Sequence, residues 1–299
     1  MEYNELLKKI CDELKIKLTL ISDGWVKVLE RDNKIHYIQG YKFDLNNYGI
    51  GSIMDDKGLF YDLLKLKNLP IIEHQVYFKN DSVNEILDYF NRHNKQIIVK
   101  GNLGTCGRNV FLVENEDELI KTIDKLFLSQ NSISLCPYYD IINEYRVIVL
   151  NGQEKIVYGK IRPEVIGDGK STVYELACKF NAVYEKKKEL IKEPNYIPKM
   201  NEKVMLNYQF NLSNGAKMFL DIENELKEKI ISIAKRVANI TNITFGSVDI
   251  IYTTNHELLV MEANSGVMMD SFIRLNGEYG YNKAYNLYRE AIMTMFDIK

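Results

Sequence analysis

Long apolar runs are missing from these 299 residues. None approaches the ~18 residues needed to cross a bilayer. The opening stretch, MEYNELLKKICDEL, is mixed in charge and lacks the apolar centre of a signal peptide. No membrane association is expected. Cysteine is scarce: Cys11, Cys106, Cys136 and Cys178 lie far apart and form no CxxC pair. That argues against a zinc site or disulfide framework and suits a reducing cytoplasm. The four histidines are scattered in the same way. Only five prolines occur and no Gly/Ser-rich stretch, so no flexible linker is expected. An excess of one charge is also absent, with 39 basic against 41 acidic residues. The short run Lys186-Lys187-Lys188 is followed by Glu189 and reads as a solvated helix face. A nucleic-acid partner is therefore not expected.

What remains is an ordinary globular composition, 46% hydrophobic and 27% charged. The length suits one large domain or two or three packed subdomains. Residues 3–14 have the apolar spacing of an amphipathic helix. Short β-type runs follow at 17–21, 25–30 and 34–40, separated by the turn pairs Asp23-Gly24 and Asp32-Asn33. Helices are expected over about 58–68, 82–93 and 116–129, with PIIEHQVYF, QIIVK and NVFLV as strands. Beyond them EYRVIVL and KIVYGKIR form a hairpin across Asn151-Gly152, and PEVIGDGKS is a loop leading to a helix from Thr172. A long helix at about 222–239, strands FGSVDIIY and ELLVME, and a final helix over about 281–296 complete the chain. This mixed order with several hairpins predicts α+β subdomains.

Four groupings carry chemistry. The loop Gly101-Asn102-Leu103-Gly104-Thr105-Cys106-Gly107-Arg108 follows Lys100, and its glycines let backbone N–H groups approach phosphate. A strand follows it, where P-loops and dinucleotide loops open a helix. A plain hairpin turn stays open as the alternative. Gly169-Lys170-Ser171 resembles the end of a Walker A motif, but Glu164 stands where its first glycine belongs, so 167–170 reads as a strand-to-helix turn. Asp249, deep in an apolar strand, and Glu262, two residues before Asn264, supply hard oxygens suited to Mg²⁺. Strict alternation puts Ser247, Asp249 and Ile251 on one face, and Leu258, Val260 and Glu262 on one face of the neighbour. The alternative is a turn-capping or lysine-paired Asp249 with Glu262 merely exposed. Finally, Lys57, Lys100, Arg146, Lys160 and Arg162 form a line of cations of the kind phosphoryl transfer needs.

In this order these pieces resemble the ATP-grasp superfamily over residues 44–299. Asp56-Lys57 with GLFYDLLKLKNLP looks like the entry to its nucleotide-binding subdomain, and Asp249 … Met261-Glu262-Ala263-Asn264 like its magnesium signature. Within it, EYRVIVLNGQEKIVYGKIRPEVIGDGKSTVYEL is similar to cyanophycin synthetase and to the ATP-grasp part of bifunctional glutathione synthetases.

The resemblance implies an ATP-grasp fold of two α+β subdomains sandwiching ATP. A short N-terminal α/β unit (1–48) would precede a central lid subdomain (49–134) and a C-terminal subdomain (135–299). It implies Lys57, Lys100, Gly101, Gly104, Thr105 and Gly107 on the phosphates, and Cys136, Tyr138, Asp140 and Glu144 around the nucleoside. It also implies Asp249, Glu262 and Asn264 on two Mg²⁺ ions, with Mn²⁺ as a substitute, and Arg146, Arg162 and Lys160 at the reacting groups. The usual hinge glutamate that holds the ribose is missing before Tyr138, leaving Asp140 or Glu144 to take its place. Neither a Mur-ligase nor a glutamate–cysteine ligase domain is recognised. The implied reaction joins a small-molecule carboxylate to an amine in a cytoplasmic enzyme; homo-oligomers, dimers or tetramers, are common among similar proteins, and the sequence does not decide the oligomeric state. A small-molecule kinase or a silent ATP-binding regulator on the same fold are the alternatives.

Overall fold

The computed structural model describes residues 3–103 and 109–298. Helix α1 (Tyr3–Glu13) is followed by β1 (Lys17–Ile21), β2 (Val26–Arg31), β3 (Lys34–Gln39) and β4 (Lys42–Phe43). Helices α2 (Tyr48–Asp55) and α3 (Lys57–Leu66) lead to β5 (Gln75–Phe78), α4 (Val83–Arg92), β6 (Ile97–Gly101) and β7 (Val110–Val113). Next come α5 (Glu116–Phe127), β8 (Ser132–Pro137), β9 (Ile141–Leu150), β10 (Gln153–Ile161) and β11 (Glu164–Ile166). The order continues with α6 (Val173–Phe180), α7 (Val183–Lys186), β12 (Lys203–Met205), β13 (Lys217–Phe219) and α8 (Asn224–Thr241). It ends with β14 (Phe245–Thr253), β15 (Leu258–Asn264) and α9 (Asp270–Met295). No helix among the described residues is long and apolar enough to cross a membrane.

The N-terminal sheet is an antiparallel meander in the order β1-β2-β3-β4. Both residues of Asp23-Gly24 and of Asp32-Asn33 have positive φ, the tight turns that match strand twist. The central sheet has the order β5-β8-β6-β7, backed by Ile86 and Phe90 of α4 and Leu119 and Ile123 of α5. The largest sheet has the order β13-β10-β9-β14-β15. Its β9–β10 hairpin turns at Asn151-Gly152, again with positive φ at both residues.

Alternation in this sheet divides the core. Tyr145, Val147, Val149, Val248 and Ile250 face α8, with Met54, Phe60 and Leu64 of α2 and α3 in the same cluster. Ile148, Leu150, Ile156 and Tyr158 face the other way, into α1, the N-terminal sheet and α9. Asp249 and Arg146 stand on this second face, in line with Ile148 and Tyr158. Helices α2 and α3 thus pack on the large sheet, while β8, which spans 134/135, belongs to the central one.

Several local expectations change. PIIEHQVYF is not one strand, because its two ends serve different sheets. Residues 70–72 run beside β15, with Ile72 N–H donating to Val260 O at 3.0 Å and Val260 N–H to Pro70 O at 2.8 Å. Only Gln75–Phe78 pairs with β8. Within the expected loop PEVIGDGKS, Glu164–Ile166 pairs with β12, a partner some 40 residues on. The final helix starts at Asp270, not near 281, and carries a non-helical Gly277 (φ 54°, ψ −131°) that interrupts its apolar period.

The most consequential change is in β15. Ile250 pairs with Val260 and Asp249 with Glu262, so Met261 is an extra residue, a β-bulge. Directly opposed residues share a face. Glu262 therefore faces with Asp249, while Leu258 and Val260 face the opposite way, contrary to strict alternation.

Candidate active site

Register builds the charged centre. Glu262, Asp249, Arg146 and Tyr158 lie in one row across β15, β14, β9 and β10. The next row along the same face holds Ile251, Glu144 and Lys160. Arg146 grips Asp249 with both arms of its fork, Nε to Oδ1 at 2.7 Å and Nη2 to Oδ2 at 2.5 Å. Lys160 Nζ is 3.6 Å from Asp249 Oδ1 and donates to Glu144. Burial would raise the Asp249 carboxyl, but Arg146 and Lys160 outweigh it and hold it below the usual range. For Glu144 burial wins, and its pKa is raised. Asn264 Nδ2 reaches both acids, Asp249 Oδ2 at 3.4 Å and Glu262 Oε1 at 3.2 Å.

The second group lies across the crevice. Asp56 caps α3 by accepting from Leu59 N–H at 2.9 Å, which makes Lys57 the first residue of the helix. Lys57 Nζ donates to Asn102 O at 3.2 Å, and Gly58 N–H donates to Asn102 Oδ1 at 3.2 Å. Asn102 is buried and ties α3 to the end of β6. Lys100, on β6, is also buried, and among the described residues its ammonium group makes no hydrogen bond or ion pair. Burial and the neighbouring Lys100 bring the Lys57 ammonium down to about 8, against Glu262, Asp56 and Asp55. Lys57, Glu262 and Asn264 line one small pocket with Met54, Asp55 and Phe60.

Beside the lysines is an apolar cluster of Ile72, Cys136 and Ile251, with Ile98, Tyr139 and Met261 packed against it. Burial raises the Cys136 thiol, so it is an apolar wall and no nucleophile. Tyr138 N–H donates to Gln96 O at 3.2 Å. Asp140 is exposed, and its carbonyl accepts from Thr254 N–H at 2.9 Å. Gly101 closes β6, whereas Gly104, Thr105 and Gly107 lie outside the described residues.

Arg162 stands apart from the Asp249 cluster. Its guanidinium lies 4.8 Å from the centre of the Phe210 ring, with Nη1 3.9 Å from Met205 Sδ. The 167–170 segment is a turn that starts a helix. Asp168 accepts from Lys170 N–H, Ser171 N–H and the Ser171 hydroxyl at 2.7–2.9 Å, bonds that lower its pKa to about 2. Thr172 and Glu175 then form a reciprocal cap on α6.

The donors suit a hard cation in kind: two carboxylates and a carboxamide whose oxygen and nitrogen can exchange places by a flip. Among the described residues no three carboxylate, imidazole or thiol side chains come together. A metal would therefore need Asn264 as well as both acids, and would share Asp249 with Arg146. With that reserve, the residues fit magnesium.

Residues 54–179 match the RimK-like ATP-grasp domain. Structural comparison covers more of the chain. A bifunctional glutathione synthetase from Pasteurella multocida aligns with 96% of this chain and 44% of its own, at TM-score 0.55 and 18% identity. A D-alanine–D-alanine ligase from Bacillus anthracis aligns with 83% of this chain and 70% of its own, at TM-score 0.57 and 15% identity. The chain has the ATP-grasp fold. In sequence it is similar to the glutathione biosynthesis bifunctional protein GshAB of Clostridium perfringens, 23% identical over 293 residues, 88% of this chain and 35% of that protein. The Streptococcus mutans protein of the same name is 26% identical over 164 residues, 54% of this chain and 21% of that protein. The chain thus spans about a third or less of these curated relatives. The expected likeness to ATP-grasp proteins stands, and the α+β expectation with it.

Proposed function

We propose that this ATP-grasp chain is an ADP-forming carboxylate–amine ligase that works through an acyl phosphate, with amino acids or a small peptide as substrates. One observation carries the reading. The half-buried Lys57 lies close to the buried Lys100, and it lines the same small pocket as Glu262 and Asn264. Phosphate charge and its counter-charges would meet there, away from water. The glutathione synthetase and D-alanine–D-alanine ligase relatives support the ligase class.

In this reading ATP lies between a central and a C-terminal subdomain, behind a short N-terminal unit. The base lies against the Ile72–Cys136–Ile251 cluster and the 136–140 segment flanks it, with Asp140 or Glu144 left to meet the ribose. Lys57, Lys100 and the loop of Gly101, Gly104, Thr105 and Gly107 hold the phosphates. Asp249, Glu262 and Asn264 would hold magnesium, two ions with manganese as a substitute, which when bound neutralises phosphate charge. Arg146 and Lys160 orient the γ-phosphate, and Arg162 the substrate carboxylate.

A carboxylate oxygen attacks the γ-phosphorus, and the bond to ADP breaks. The amine nitrogen then attacks the acyl carbon, the bond to phosphate breaks, and the nitrogen loses a proton. The side chains supply position and compensating charge without forming a bond to either substrate. The test is ADP release from Mg·ATP across amino acids, singly and in pairs, with Asp249→Asn as the blank. Turnover that needs both an acid and an amine and vanishes in the variant supports the reading. A phosphorylated hydroxyl product would replace it with a kinase.

A further inference from the structure

His74 falls between the two lysines and none of the motifs uses it. It sits where the chain leaves β15 at residue 72 and enters β5 at Gln75, the crossing between the two large sheets. Its ring is 5% exposed, and Nδ1 is 2.7 Å from Ser134 Oγ. Ser134 is fully buried on β8, directly opposite Lys100 of β6. The imidazole therefore stands over the root of one lysine. Its other nitrogen, Nε2, is buried and completes no hydrogen bond of ordinary geometry among the described residues, although the Met261 backbone lies near the ring. Burial, then Lys100, then Lys57 keep the ring neutral, with the Met261 backbone opposing.

A buried ring nitrogen left unpaired costs free energy unless a ligand completes it. Here the surroundings name the ligand's charge. The buried Lys100 and the half-buried Lys57 both act on the ring with positive charge, and Lys100 makes no ion pair among the described residues. We propose that His74 Nε2–H is a third donor to the polyphosphate of the bound nucleotide, oriented by the Ser134 hydroxyl donating to Nδ1. The assignment rests on the nucleotide reading above. A neutral ring adds a directional hydrogen bond without a third positive charge between two lysines that already repel each other.

Binding to the full chain, measured by calorimetry without turnover, tests this with ATP, ADP and adenosine as probes and magnesium present throughout. His74→Phe is expected to weaken ATP and ADP roughly ten- to a hundred-fold, the range for a hydrogen bond to a charged group. Adenosine, which has no phosphate, should bind it as it binds the parent. His74→Gln, which can return an N–H near Nε2, should recover most of the loss, and Ser134→Ala should lose part of it. Equal losses for all three probes, no recovery in His74→Gln, or unchanged ATP affinity in a folded His74→Phe would overturn the assignment. A parent protein that binds no ATP would defeat the nucleotide reading itself, a separate result.

Discussion

Asp249 is held by Arg146 through two hydrogen bonds, at 2.7 and 2.5 Å, across adjacent strands. The same carboxylate faces Glu262 on its other side. One buried acid is thus shared between a guanidinium already in contact and an acidic partner that needs a cation to approach it. In the proposed reaction a cation held by Asp249, Glu262 and Asn264 would compensate both acids and leave Arg146 free to orient the γ-phosphate.

Removing the half-buried Arg146 strands the buried carboxylate of Asp249. Arg146→Ala should destabilise the protein by roughly 3–5 kcal/mol, because Lys160 alone must then compensate Asp249. Chemical denaturation checks it. A loss under ~1 kcal/mol, the range of an exposed pair, would mean that the bidentate contact does not persist in solution.

Lys57 gives a pH dependence. Its folded pKa of about 8 lies below the ordinary 10.5, so it is fully charged below pH 7 and mostly neutral by pH 9. Phosphate binding favours the charged form. ATP affinity should therefore fall as pH rises through 8, with proton uptake on binding above that pH. Competitive acetylation of the ligand-free protein should show Lys57 reacting with a midpoint near 8, and ATP should protect it. A midpoint above 10 would contradict the crowding by burial and Lys100.

Asn102 should prove a positioning residue. Its carbonyl and side-chain oxygen accept from Lys57 Nζ and Gly58 N–H, so Asn102→Ala removes the side-chain tie to α3. The expected result is several-fold weaker ATP binding at a stability cost of about 1–2 kcal/mol. Unchanged affinity would show that α3 holds Lys57 without it.

Gly159 precedes Lys160 on β10, and a Cβ there would fall 2.1–2.6 Å from three atoms of the Phe219 ring. Gly159→Ala should cost about 1–3 kcal/mol through overpacking. Shrinking the ring in Phe219→Leu should relieve part of that in the double variant. Simple additivity of the two losses in denaturation would argue against the contact.

Much of this was legible in sequence because it depends on neighbours in the chain. The Asn151-Gly152 turn, the apolar face of α1 and the burial of Asp249 follow from local pattern. Asp249, Glu262 and Asn264 were legible as a set of hard oxygens on neighbouring strands, but strict alternation grouped Glu262 with Leu258 and Val260, which face the other way. The Met261 bulge is decided by pairing with β14, which no local pattern reveals. His74 was hidden for a similar reason. Its setting combines Ser134, Lys100 and Lys57, drawn from two strands and a helix, and a lone histidine between Glu73 and Gln75 carries no signal of that. Asn102 was visible only as part of a glycine loop.

The most direct test of the ligase reading replaces the unknown amine with hydroxylamine, which attacks acyl phosphates to give hydroxamates. The protein would be incubated with Mg·ATP, hydroxylamine and a panel of amino acids and short peptides. The account predicts hydroxamate and ADP in equal amounts for at least one carboxylate, and neither with Asp249→Asn. ADP formed alongside a phosphorylated product that hydroxylamine leaves intact, with no hydroxamate, would contradict it.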